Sequence, residues 1–85
     1  MPAIVLVGHR HSCPIHGEGT VTSGSAGVMV NGRAAARIGD DTSCGATITT
    51  GSASTFGGAG IAYVGCQTSH GGSLPEGDES WQVAP

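Results

Sequence analysis

The chain has 85 residues, with three arginines, no lysine, six carboxylates and a formal net charge of −3. That balance lacks the basic footprint needed for phosphates, which argues against a nucleic-acid partner. One Trp, one Tyr and one Phe against 16 glycines cannot build a large core, so a domain this small needs a metal, a disulfide or a partner to hold it.

The opening MPAIVLV is a short aliphatic run stopped by Gly8. It has neither the cationic start nor the long apolar stretch of a signal peptide or membrane span. Synthesis in the cytoplasm is expected, with any exit by another route. VGHRHSCPIHGEG follows and places His9, His11, Cys13 and His16 within eight residues. In VTSGSAGVMVNGRAAARIG the apolar runs are short, β-branched and bounded by Gly, Ser and Asn, the signature of strands and turns. Its Asn31-Gly32 predicts a two-residue hairpin turn. Ala34 to Arg37 has helix propensity but is too short to nucleate a helix, and it reads as strand. TITTGSASTFGGAGIAYVG has the same organisation. The acidic end, GGSLPEGDESWQVAP, reads as a last strand docked through Trp81 or as a flexible end, and a lone Trp in an aromatic-poor chain favours docking.

The sequence repeats itself. VGHRHSC, IGDDTSC and VGCQTSH each place an aliphatic residue before Gly, then a polar turn with Ser, then Cys or His five positions after the Gly. Their glycines, Gly8, Gly39 and Gly65, lie 31 and 26 residues apart. The fold expected is all-β, a single domain over 1–85 built from about three pseudo-symmetric strand-turn repeats (residues 3–73) with an acidic tail over 74–85. Three such repeats about a common axis bring three Cys- or His-bearing turns together at one end.

Converging thiols and imidazoles suit zinc, which is borderline-soft and tetrahedral. Three thiols in a chain made in a reducing compartment also favour a metal over a disulfide framework. Six residues compete for four positions: His9, His11, His16, Cys13, Cys44 and His70. His9 matches Asp40 of the second repeat and reads as a turn cap. His16 sits in PIHG, where Pro14 and Gly17 fix the loop and can aim the imidazole inward, and His11 and Cys13 are two apart, so they face the same way on an extended segment. The expected ligand set is His11, His16, Cys44 and His70, with Cys13 the rival to His11 or Cys44. Known zinc hydrolase and deaminase spacings are absent. Glu18, Asp40 and Asp41 sit in turns where solvated or capping roles suffice, so no enzyme activity is expected and a small zinc hydrolase is the least favoured alternative.

The segment GRAAARIGDDTSCGATITTGS carries an A-A-A-R signature, then G-D, a polar turn and C-G. It resembles the PAAR-repeat family, as do GHRHSCPIHG and GCQTSHGG. Two departures stand out: PAIVLVG replaces the first P-A-A-R, and Cys66 stands where the family commonly has Asp. The resemblance implies a short cone with structural zinc at its apex, held by histidines and a cysteine. It also implies a tip protein that caps the trimeric VgrG spike of the bacterial type VI secretion system, sharpens it and meets the target membrane transiently. Such a protein would assemble in the bacterial cytoplasm and leave through that system without a signal peptide. An adaptor that recruits effector proteins is the alternative. The segments GSAGVMVNG and GSASTFGG would lie toward the base, with Val28 and Val30 the candidate spike contacts.

Overall fold

The computed structural model describes residues 2–14, 17–25, 27–56 and 58–83. Eight short strands follow in order: β1 (Ala3–Ile4), β2 (Arg10–Cys13), β3 (Gly17–Thr20), β4 (Met29–Val30), β5 (Arg33–Ala34), β6 (Thr55–Phe56), β7 (Ala59–Gly60) and β8 (Asp78–Gln82). They pair antiparallel as β1–β8, β2–β3, β4–β5 and β6–β7. No helix occurs among the described residues.

The repeat seen in the sequence is a threefold arrangement of backbone hydrogen bonds. At its centre Val5 N–H donates to Ala62 O (3.1 Å), Ala36 N–H to Val5 O (2.9 Å) and Ala62 N–H to Ala36 O (2.9 Å), a closed ring with one residue from each repeat. Bridges Leu6–Ala35, Arg37–Ile61 and Ile4–Tyr63 flank it. Ala35 and Arg37 therefore pair as strand residues do, in line with the reading of 34–37 as strand rather than helix. Above the ring the chain turns at Gly8, Gly39 and Gly65, whose φ of 93°, 95° and 99° side-chain-bearing residues rarely adopt. Their N–H groups donate to Val21, Ile48 and Leu74 O at 2.8 to 2.9 Å.

Each of these turns is closed twice. The N–H of His9, Asp40 and Cys66 donates to the carbonyl three residues earlier, on Leu6, Arg37 and Tyr63. In return the Leu6 N–H donates to His9 Nδ1 (3.0 Å), the Arg37 N–H to Asp40 Oδ2 (2.7 Å) and the Tyr63 N–H to Cys66 Sγ (3.4 Å). An imidazole, a carboxylate and a thiol thus do the same job, and the cap expected at His9 is present. Burial lowers the pKa of His9 against the opposing pull of Glu76, which keeps the ring in the neutral form that accepts this bond.

Below the ring stand three paired-strand blades. The β4–β5 hairpin turns on Asn31 (φ 51°) and Gly32 (φ 81°), the two positive φ angles expected of Asn-Gly. The β6–β7 hairpin is the second blade. The third is made from the two ends of the chain, β8 paired with β1. The repeats reach their blades alike: Val7, Ile38 and Val64 N–H donate to Ala34, Gly60 and Ala3 O at 2.9 to 3.0 Å.

The core is thin and stacked along the axis. Ile4, Leu6, Val30, Ala35, Ile61 and Val83 fill the blade level. Val5, Val21, Ala36, Ile48, Ala62, Cys66 and Leu74 fill the level of the ring and the turns. Leu74, counted with the tail in the sequence, is a core residue of the third repeat. The tail docks through Val83, which is buried, while Trp81 is 40 % exposed. Val30 is likewise core and Val28 packs against it, whereas Met29 between them is exposed.

Two predictions follow from the third blade. Val83→Ala should cost about 1–3 kcal/mol in chemical denaturation, because a buried side chain is truncated. Asp78 accepts from Ser80 Oγ (2.6 Å), Ser80 N–H (2.9 Å) and Asn31 Nδ2 (2.6 Å), which ties β8 to the tip of the β4–β5 hairpin. These bonds hold its carboxyl at about 2, below the usual 3.8. The folded group therefore stays ionised after the unfolded one protonates, so its contribution is complete above about pH 4 and fades as pH falls through the folded value. Protection of the Val83 amide, relative to its intrinsic exchange rate at each pH, should fall across that window, and in Asp78→Ala it should already be low at neutral pH. Unchanged exchange in Asp78→Ala would refute the tie.

Candidate metal centre

The apex is built from the three polar turns. In the first, β2 and β3 pair from Arg10–Thr20 to Cys13–Gly17. Strand alternation buries His11 and Cys13 and exposes Arg10 and Ser12. In the second, Thr42 N–H donates to Ala46 O (2.9 Å) and Gly45 N–H to Thr42 O (3.0 Å), a tight loop that presents Cys44. The third repeats this with Thr68, Gly72 and Gly71, at 3.1 and 3.0 Å, and presents His70.

Serines latch each turn to its neighbour, a role that reading the motif did not assign. Ser43 N–H donates to Thr20 O (2.8 Å), and its Oγ accepts the Thr20 N–H (3.0 Å). Ser69 does the same to Thr47, at 2.8 and 3.0 Å. Between the third turn and the first, Ser12 and Ser73 exchange both backbone bonds at 2.9 Å. The signal was in the sequence as the common Ser of HSC, TSC and TSH, each one residue before the Cys or His.

The latches bring Cys13, Cys44 and His70 together, with one ligand atom from each within 4.8 Å of the others. His70 Nδ1 lies 3.6 Å from Cys13 Sγ and 3.8 Å from Cys44 Sγ. His11 Nδ1 lies 3.6 Å from Cys44 Sγ, while its Nε2 pairs with Thr68 Oγ1 at 2.8 Å. Zn–S of about 2.3 Å and Zn–N of about 2.0–2.1 Å in a tetrahedron give an S–N edge of ~3.6 Å. The distances from His70 Nδ1 to the two sulfurs match that edge, so Cys13, Cys44 and His70 fit three corners of a tetrahedral cation site.

Of the expected ligands, Cys44 and His70 are thus in the cluster together with Cys13, and His11 adjoins it through Cys44. His16 lies outside the described residues. Cys66 is separate, buried as a turn cap. Thr42 Oγ1 lies 3.4 Å from Cys44 Sγ and 3.1 Å from Ala46 O, so its one proton serves the sulfur once the thiol ionises. That bond, with help from Ala46 N–H, Cys13 and His70, pulls the Cys44 thiol from 9.0 to about 5 against the cost of desolvation. A thiolate is the form a metal needs. The acidic residues stay out of the cluster: Asp40 caps its turn, and Glu18 meets Arg10 at 3.8 Å on the surface.

A family model, the PAAR motif, matches residues 1–50. The chain belongs to the PAAR-motif family. The matched span holds the first two repeats, with Cys13 and Cys44. The third repeat, with His70, lies beyond the matched span and is joined to the first two by the ring and the apex just described. A search among curated proteins finds no match.

Thr68→Val leaves the fully buried His11 Nε2 without its partner and frees the ring to turn. An orienting partner of this kind is worth about ten- to a hundredfold in metal affinity, the loss expected in zinc titration of the variant. Gly72→Ala should destabilise by about 1–3 kcal/mol. Its methyl carbon would run into Ser12 O and lie 2.8 Å from His11 Nε2. Wild-type stability in Gly72→Ala would refute the close packing of the apex.

Proposed function

We propose that this chain is a structural, zinc-stabilised tip that caps the trimeric VgrG spike of a type VI secretion system. The observation that carries the reading is the threefold ring of Val5, Ala36 and Ala62 beneath an apex whose Cys and His spacing fits a tetrahedral metal. One short chain thereby acquires the pseudo-threefold form that a trimer end can seat. The three blades form the face opposite the apex and offer strand edges that could continue a partner's β-structure. Val28 lies at that level, and Val30 supports it from the core.

Family membership supports association with such a spike, and the chemistry of the site supports a structural metal. Cys13 or His11, Cys44, His70 and His16 are the side chains that would hold the ion. Two thiols and the surrounding imidazoles form a set suited to zinc. When bound, the ion supplies a cross-link between turns far apart in sequence. Glu18 pairs with Arg10 at the surface and Asp40 caps its turn, so both carboxylates are engaged away from the cluster. In this reading the protein assembles in the bacterial cytoplasm, leaves with the spike and meets the target membrane transiently. Effector proteins are possible cargo.

Purified protein should carry one zinc per chain. Chelation or His70→Ala should lower its melting temperature sharply, since closed zinc sites contribute on the order of 10 kcal/mol in small peptides. Mixed with a trimeric VgrG-type β-helix, one chain should bind per trimer. Full thermal stability without metal would refute the staple, and failure to bind the trimer would refute the tip.

A further inference from the structure

Two of the three cysteine sulfurs meet at the apex, and the third does not. Cys13 Sγ and Cys44 Sγ both contact His70 Nδ1 and lie within 4.8 Å of each other. Cys66 is held in the core by the Tyr63 N–H. A disulfide requires about 2.05 Å between sulfurs. Closing the gap therefore takes less than about 3 Å, a distance that a rotamer change at one cysteine covers. Cys13 is buried at the end of β2, whereas Cys44 is part-exposed in its loop before Gly45 (φ 86°), so Cys44 is the side chain that turns.

We infer that Cys13 and Cys44 are a redox pair: when the apex holds no metal, an oxidant joins them as a disulfide, and the joined apex cannot take up a cation until the bond is reduced. With hydrogen peroxide as oxidant the steps balance. Cys44 is the more exposed of the two, and its thiolate attacks a peroxide oxygen, the O–O bond breaks, and a sulfenic acid forms as hydroxide leaves. The Cys13 sulfur then attacks the Cys44 sulfur and expels the sulfenic oxygen as water. Two thiols lose two hydrogens in all, and the peroxide becomes two waters. The new bond consumes two of the clustered donors and ties the first repeat to the second. It does not reach His70 or the third repeat, so it does not replace what a metal would join.

This inference rests on the metal reading of the apex only for what a bound cation would protect. The cross-link itself needs the sulfurs alone, so the two ideas fail separately. The test uses the full chain, stripped with a chelator and treated with one equivalent of hydrogen peroxide. Intact mass and a non-reducing peptide map are read first, then zinc uptake before and after dithiothreitol. The expected product has lost two hydrogens, carries a Cys13–Cys44 link and keeps one free thiol at Cys66. Its zinc uptake should fall at least tenfold and return on reduction, and Cys66→Ser should behave the same way. A sulfenic or sulfinic acid persisting on one cysteine would overturn the inference. So would links to Cys66 or between chains, including the mixture expected of a chain that loses its fold on stripping. Failure of the reduced protein to bind zinc would refute the metal reading while leaving the cross-link to stand on its own map.

Discussion

Three backbone hydrogen bonds, among Val5, Ala36 and Ala62, close this chain on itself, and the rest of the structure depends on that closure. An edge strand left open exposes unpaired N–H and C=O groups. Here each repeat's central residue donates to one neighbour and accepts from the other, so the set of three leaves no open edge at the axis. Closure also dictates side-chain size. Val5, Ala36 and Ala62 are packed in one cluster with no exposure, which leaves room only for small residues. The shortage of large apolar side chains that looks like a weakness in the composition is therefore a requirement of a threefold axis this narrow.

Much of this was legible in the sequence because it repeats. The Gly of each turn marks a φ near 95°, Asn31-Gly32 marks the first hairpin, and the aliphatic residue before each Gly marks the strand beneath. His9 aligned with Asp40 announced a cap. Less legible were features made by pairing across the repeats. Nothing local says that Asp78 to Gln82 will take the place of a hairpin arm, because its partner lies at the other end of the chain. Trp81, the obvious anchor by size, is half-exposed, while the small Val83 reaches the core. At the apex the positions of Cys44 and His70 followed from their repeats. The proximity of Cys13 depends on where the longer first hairpin places the end of β2, which spacing alone left open between Cys13 and His11.

The three caps show how loosely sequence and role are tied at some positions and how tightly at others. An imidazole, a carboxylate and a thiol all accept the same N–H, because the turn asks only for an acceptor of short reach. The glycine beside each cap tolerates no such exchange, since its requirement is steric. Five residues on from that glycine the demand is chemical instead. Cys13, Cys44 and His70 differ in size and polarity, and what they share is a soft donor atom that can be aimed at one point. The departure from Asp to Cys66 therefore costs the fold little and adds nothing to the apex.

The weak place in such a fold is the seam between the third repeat and the first. Repeats one and two, and two and three, are joined by continuous chain, whereas Ser12–Ser73, Ile4–Tyr63, Val64–Ala3 and Val5–Ala62 cross the remaining seam by hydrogen bonds alone. Both ends of the molecule reinforce it. At the base, β8 carries the chain from the third repeat back to β1, so the seam is bound by a strand that cannot drift away. At the apex, His11 Nε2 pairs with Thr68 and Cys13 contacts His70, both across the same seam. A cation held by Cys13, Cys44 and His70 would tie all three repeats at once, whereas any bond between Cys13 and Cys44 alone joins two that the chain already connects. The position of His70, beyond the first two repeats, is thus what makes the apex a lock for the whole ring.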